Sequence, residues 1–285
     1  MARKWFLTII LALTLTTLAC GINFQVQVKT GPMVTDQINV PLSDGVSEYD
    51  ITLSFGAGTL NLNPGAQGAL VSGTATYNVA DFKPKTTISG SVVKVEQGNL
   101  NIGGIPTFSK GIKNEWNLLL GTTPMRLHIS AGAYSGNYEL GGLALKSLSI
   151  SDGAADSNLT FSQPNLVDMD KFDYKTGASD VNLKGLAYAN FTELSFRGGA
   201  GNYKLDFSGD MRHDAAATIE SGLSSVTIVV PAGVNAQVKF EGGLTDVKVG
   251  GGWVKQGDTY VQSGSGPLLN ITVKMGAGSL TIRNP

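Results

Sequence analysis

The sequence predicts an all-β fold, a single-domain parallel β-solenoid, and three observations carry that reading. First, one phrase recurs: a short alternating strand, a small-residue corner, then a second alternating strand. It pivots on Gly56, Gly132, Gly153, Gly177, Gly199, Gly222, Gly243 and Gly276. Second, from Gly132 to Gly243 the pivots follow each other every 21 to 24 residues. Self-similarity at that period marks a solenoid, in which each unit buries its apolar side against its neighbours. Third, the 285 residues include 37 Gly and only 15% charged side chains, and no long stretch after the leader keeps a 3.6-residue apolar period.

The leader comes first. Arg3 and Lys4 precede an apolar run from Phe6 to Leu15, closed by Thr16-Thr17-Leu18-Ala19-Cys20-Gly21. So short a run is an export signal, expected to be helical, rather than a membrane span. Cys20, the single cysteine of the chain, stands where a bacterial lipoprotein signal is cut and its thiol acylated. Ala19 and Cys20 fit that pattern, whereas Thr17 stands where Leu is usual; an ordinary secretory signal cut nearby is the alternative. Residues 1–19 are thus expected to be the signal peptide and 20–47 a lipid-anchored tether, irregular around Gly31-Pro32, with a first strand within Phe24–Lys29. The expected place is outside the cytoplasm, on a bacterial membrane or cell surface, attached through the acyl chain on Cys20. An exported chain with one Cys has no internal disulfide and relies on burial and backbone pairing. Without Arg3 and Lys4 the 21 Lys and Arg fall to 19 against 22 Asp and Glu, a net charge of −3. Neither nucleic acid nor anionic lipid is an expected partner for such a chain.

Residues 48–126 form the next section. It opens with the first full phrase, Ile51 to Leu62, and continues with strand candidates at Ala69–Val79, Thr86–Glu96 and Asn114–Leu120. Trp116 is expected in the core. Residues 127–285 carry the near-continuous repeat. Five residues before the pivots stand Ile51, Leu127, Leu148, Phe172, Leu194, Ala217, Val238 and Ile271; three before stand Leu53, Ile129, Ile150, Tyr174, Phe196, Ile219, Phe240 and Val273. Polar residues separate the two columns, which is the period of a half-buried strand. Directly after most pivots comes Ala or Leu, and six residues after comes another apolar column running through Leu159, Leu183, Leu205, Ile228, Val249 and Ile282. The pivot Gly is expected to supply a backbone conformation closed to residues with a Cβ. Three residues later Thr59, Asp156, Asp180, Asn202, Ser225, Asp246 and Ser279 are expected to bond nearby backbone N–H groups. The Gly132 corner is expected to be widened by Tyr134-Ser135-Gly136. Between Gly243 and Gly276, Trp253 to Val261 reads as a hairpin turning at Gly257-Asp258, with Trp253 and Tyr260 covering the open end of the stack.

Candidate chemistry is sparse. His128 falls at an outward position and His213 in a connection, neither beside a recognisable Ser or Cys nucleophile motif. Asp156 and Asp180 occupy equivalent places in successive units, where a shared Ca²⁺ is conceivable; turn capping is the preferred reading, and no metal or cofactor is assigned. The Gly-rich corners lack the following helix and Lys-Ser/Thr of a phosphate loop. The outward columns are mainly Thr, Ser, Asn and Lys, without the Asp-rich cleft of polysaccharide-cleaving solenoids.

Ser54-Phe55-Gly56-Ala57-Gly58-Thr59-Leu60-Asn61-Leu62, the run Leu148 to Leu183 with Asp152-Gly153-Ala154 and Thr176-Gly177-Ala178-Ser179-Asp180, and Lys274-Met275-Gly276-Ala277-Gly278-Ser279-Leu280 resemble the toast-rack family. That family comprises bacterial envelope proteins similar to the C-terminal domain of LiaF-like proteins and to adhesin-like proteins. The resemblance spans about Val46 to Ile282 and implies a right-handed parallel β-solenoid with an envelope role. Its motifs are architectural, so it carries over no active-site residue. Where LiaF-like proteins usually have membrane helices, this chain has the Cys20 segment. The expected function is therefore that of a lipid-anchored, non-enzymatic surface protein that binds or scaffolds an envelope glycan or a membrane protein. The alternatives are a carbohydrate-active solenoid enzyme and a regulator of an envelope-stress response.

Overall fold

The computed structural model describes residues 25–99, 105–107 and 111–285. The expected signal helix, Cys20 and the start of the tether lie outside the described residues. No helix among the described residues is long and apolar enough to cross a membrane. The strands are β1 (Gln25–Gln27), β2 (Val34–Pro41), β3 (Tyr49–Pro64), β4 (Ala69–Tyr77), β5 (Pro84–Ser89), β6 (Val92–Gln97), β7 (Ile105–Thr107), β8 (Asn114–Leu120) and β9 (Met125–Glu139). They continue with β10 (Leu145–Thr160), β11 (Met169–Lys184), β12 (Phe191–Asp206), β13 (Ala215–Val229), β14 (Val234–Val249), β15 (Val254–Gln256), β16 (Thr259–Gln262) and β17 (Ser265–Arg283). Apart from a small β1–β7 pair, they join in one sheet of order β15-β16-β14-β17-β13-β12-β11-β10-β9-β3-β8-β4-β2, with β6 also on β3 and β5 on β6.

Each repeat phrase is one long strand with two limbs. In β10, Leu148 and Ile150 are buried before the pivot, and Ala155, Ser157 and Leu159 after it. The alternation slips by one residue at the corner, where Gly153 and Ala154 both face outward. That slip turns the second limb so that both limbs bury their apolar columns in one core, with Ile150, Phe196, Leu205, Ile219 and Ile282 all at 0% exposure. The residue after the pivot is thus an outer corner rather than core: Leu223 is 66% and Leu244 87% exposed. Connections close the remaining side and hydrogen-bond from coil to coil, Asn165 N to Tyr188 O at 2.7 Å and Phe207 N to Val229 O at 2.8 Å. Asn165 is fully buried, and its amide oxygen and nitrogen hold the backbone N and O of Leu145, each at 2.8 Å.

All eight pivots stand at corners, but for a different reason from the one expected. None has a φ in the left-handed range; that conformation belongs to the glycines two residues later, Gly58, Gly201 and Gly278. What the pivots require is closeness. A Cβ on Gly222, Gly276 or Gly243 would stand 2.8, 2.9 or 2.7 Å from the carbonyl oxygen of the neighbouring pivot, Gly199, Gly222 or Gly276. The Gly132 corner is not widened. Its register with β10 runs unbroken from Ser147↔Arg126 through Asp156↔Ser135 to Thr160↔Glu139. Tyr134 and Tyr138 turn inward there, and Gly136 leaves room for both rings.

Other differences follow from pairing at the ends. Val34–Pro41, within the expected irregular tether, is a strand antiparallel to β4 that buries Ile38 and Val40. The candidate strand Thr86–Glu96 is a hairpin, β5 and β6, turned at Gly90 with φ +60. The hairpin at Gly257-Asp258 is present as β15–β16. It covers only the first limb of β14, over Ala236–Lys239, and β17 inserts between β13 and β14, in parallel with both. Trp116 is fully buried, against Phe55 at 5.4 Å between ring centroids.

Gly222→Ala should lower stability by about 1–3 kcal/mol through overpacking against the Gly199 carbonyl. Gly251→Ala, with open space around it and no left-handed φ, should stay within about 0.5 kcal/mol. Denaturant midpoints of the two variants check this; equal losses would refute the close-approach account.

Candidate binding face

The outward side chains of the second limbs form columns because parallel pairing keeps equivalent residues opposite each other, about 4.8 Å apart. Three residues after the pivots the column runs Thr59, Ser135, Asp156, Asp180, Asn202, Ser225, Ser279, Asp246 in space. Its side chains bond along the stack, not to their own turns as expected: Asn202 Nδ2 donates to Asp180 Oδ1 at 2.7 Å, and Ser279 Oγ to Ser225 Oγ at 3.1 Å. Asp156 and Asp180 are register partners and both exposed. Among the described residues no three His, Cys, Asp or Glu side chains gather in a metal-holding group.

Five residues after the pivots a carboxamide ladder takes over, through Asn117, Asn61, Asn137, Asn158 and Asn182. Asn137 donates to Asn61 at 3.0 Å, Asn61 to Asn117 at 2.7 Å, and Asn182 to Asn158 at 3.2 Å. Lys204 continues the column beside Asn182, and Lys184 flanks it. Asp156, Asp180, Asn182, Lys184, Asn202 and Lys204 line a groove of about 300 Å³. Asn61 and Asn137 stand five residues after Gly56 and Gly132, the same offset as Asn158 and Asn182, whereas Asn117 carries no such signal because β8 lacks a pivot glycine.

The first limbs differ in how their charges are spent. Arg197 and Lys274 both meet Glu220, at 3.5 and 3.4 Å. Lys171 meets Asp173 at 3.0 Å, and His128 lies outward as expected, 3.5 Å from Asp50. On β9–β13 the described ion pairs all lie on first limbs, whereas Asp156, Asp180, Lys184 and Lys204 of the second limbs enter none. His213 stands in a connection, its Nδ1 2.9 Å from Asp214 O. The two histidines therefore belong to different surroundings.

A family model described as the N-terminal domain of toast_rack, DUF2154, matches residues 29–170. The chain belongs to the toast-rack family. No curated protein matches it. Among solved structures, this toast-rack chain is similar to a putative cell adhesion protein from Clostridium sporogenes, with 19% identity and a TM-score of 0.48 over 89% of this chain and 100% of the other. It is also similar to a putative adhesin from Bacteroides fragilis, with 12% identity and a TM-score of 0.40 over 91% and 100%. A putative lipid binding protein from Parabacteroides distasonis aligns over 90% and 99%, at 10% identity and a TM-score of 0.40.

The toast-rack corner also holds a polar cluster centred on Asp152. Asp152, just before the Gly153 pivot, accepts hydrogen bonds from Tyr174 OH at 3.0 Å, Tyr134 OH at 3.3 Å and Thr176 Oγ1. Thr176 in turn meets Ser179, whose Oγ accepts the Ala155 N–H at 2.8 Å, and Tyr138 OH donates to Tyr134. Three neighbouring strands are thereby tied through one carboxylate. Burial pushes the Asp152 carboxyl above the usual range, against the opposing pull of its three donors. Burial likewise pushes Tyr134 up to about 12. No motif marks this cluster; only the inward turn of Tyr134 and Tyr174 gathers it.

Because the folded Asp152 pKa is raised, the folded state holds its proton to higher pH than the unfolded chain does. Its contribution is favourable in acid and is lost as pH rises through the folded value. Asp152→Asn should flatten that part of the stability profile, checked by thermal melts from about pH 3 to pH 7. A wild-type slope retained in the variant would assign the titration elsewhere.

Proposed function

We propose that this chain is a lipid-anchored, non-enzymatic surface protein of the bacterial envelope, presenting the second-limb face as a binding surface for an envelope glycan. The observation that carries the reading is the contrast between the two faces. On β9–β13 the ion pairs lie on the first limbs, while the second limbs there offer an ordered array of amide, carboxylate and ammonium groups outside the described ion pairs. Amides aligned by their neighbours are preorganised donors and acceptors, and hydroxyl-rich polymers are recognised through such groups at little ordering cost. A rigid stack repeats them at the strand spacing, so a linear chain laid along the stack meets several rungs at once. The leader ending at Cys20 supports export and acylation, which would hold this face at the membrane surface.

Retention of the protein on purified envelope glycan tests the binding role. Asn158→Ala, Asn182→Ala and Lys204→Ala combined should weaken binding roughly tenfold or more, and Lys175→Ala with Arg197→Ala should leave it unchanged. Equal affinity for both combinations would overturn the assignment of the face. Labelled palmitate should enter the wild type and not Cys20→Ser; label surviving that substitution would remove the anchor.

A further inference from the structure

The sheet ends unequally. At one end β3 is extended on its first limb by β6 and on its second by β8, both parallel to it, and β5, β4 and β2 continue outward as antiparallel strands. At the other, β16 covers the first limb of β14, but among the described residues no strand pairs with the outer edge of Leu244–Val249. The other margins are β15, of three residues, β5, which begins at Pro84, and β2, which ends at Pro41. Among the described residues, the bare edge at this end is the second limb of β14. Val247 and Val249 in its inward columns are half-buried, whereas their β17 partners Leu280 and Ile282 are at 0% exposure.

We propose that this edge pairs antiparallel with the same edge of a second copy of the chain, about a two-fold axis through Val247. Backbone parity sets the register. Gly250 N bonds to Ile282 O of β17, so the N–H and C=O groups of alternate residues Gly250, Lys248 and Asp246 face β17. Those of Thr245, Val247 and Val249 face the free edge. Centring on Val247 joins Val247 to its own copy through two hydrogen bonds and sets Thr245 opposite Val249 of the second copy.

Charge complementarity selects this register from its neighbours. It sets Asp246 of each copy opposite Lys248 of the other, two opposite-charge pairs on the outward face. Centring on Asp246 or Lys248 would set like charges against each other. Within one copy the two side chains approach at 3.5 Å and remain 66% and 73% exposed, so they are free to exchange partners. The same interface covers the half-buried valines, and a shared face is what a two-fold contact requires.

Analytical ultracentrifugation of the full chain tests the proposal. The wild type should show a concentration-dependent dimer. Asp246→Lys alone and Lys248→Asp alone should each weaken it roughly tenfold or more, with unchanged melting temperatures. The double exchange should restore it, and the two single variants mixed together should form a heterodimer. A wild type that stays monomeric, single variants that dimerise as well as the wild type, or a double exchange that fails to restore association would overturn it.

Discussion

The structure depends on how closely neighbouring corners approach. From Gly132 onward, each pivot directs its missing side chain at the carbonyl oxygen of the pivot before it in the stack, from Gly56 through Gly222 and Gly276 to Gly243. Except at Gly153, where the distance is 3.2 Å, a Cβ would stand less than 3.0 Å from that oxygen, so the approach favours a hydrogen at Cα and holds the strands in register across the corner. A slip by one residue would bring Ala or Leu against the carbonyl and turn every inward column toward solvent. The apolar columns supply most of the burial, yet the corner decides where each column begins.

Around that constraint the chain uses polar groups in two ways. Inside, Asp152, Tyr134, Tyr174 and Thr176 fill the corner where side chains of neighbouring coils converge, and hydrogen bonding satisfies a carboxylate that burial penalises. Outside, the same register lines up Asn61, Asn117 and Asn137, so that each amide orders the next. Both are consequences of parallel pairing, which repeats whatever one coil presents.

Much of the fold was legible because its signals are local and repeated. The columns through Ile150 and Leu159, the hairpin at Gly257-Asp258 and the burial of Trp116 follow from alternation and turn chemistry. The face was legible only in part: Asn158 and Asn182 sit at a fixed offset from a pivot, but Asn117 reaches the ladder from β8, a strand outside the repeat. β2 was hidden because its two inward residues, Ile38 and Val40, are too few to reveal a period.

By itself the sequence determined the repeating coil, its inward columns and the glycine at every corner, since period and side-chain size are written residue by residue. Tertiary structure alone decided that those glycines serve closeness rather than a left-handed turn, because the atom they avoid belongs to another coil. It also decided that β17 lies inside β14, leaving the last edge bare. Coils of equal period carry interchangeable phrases, so their order in space depends on which neighbour each one meets.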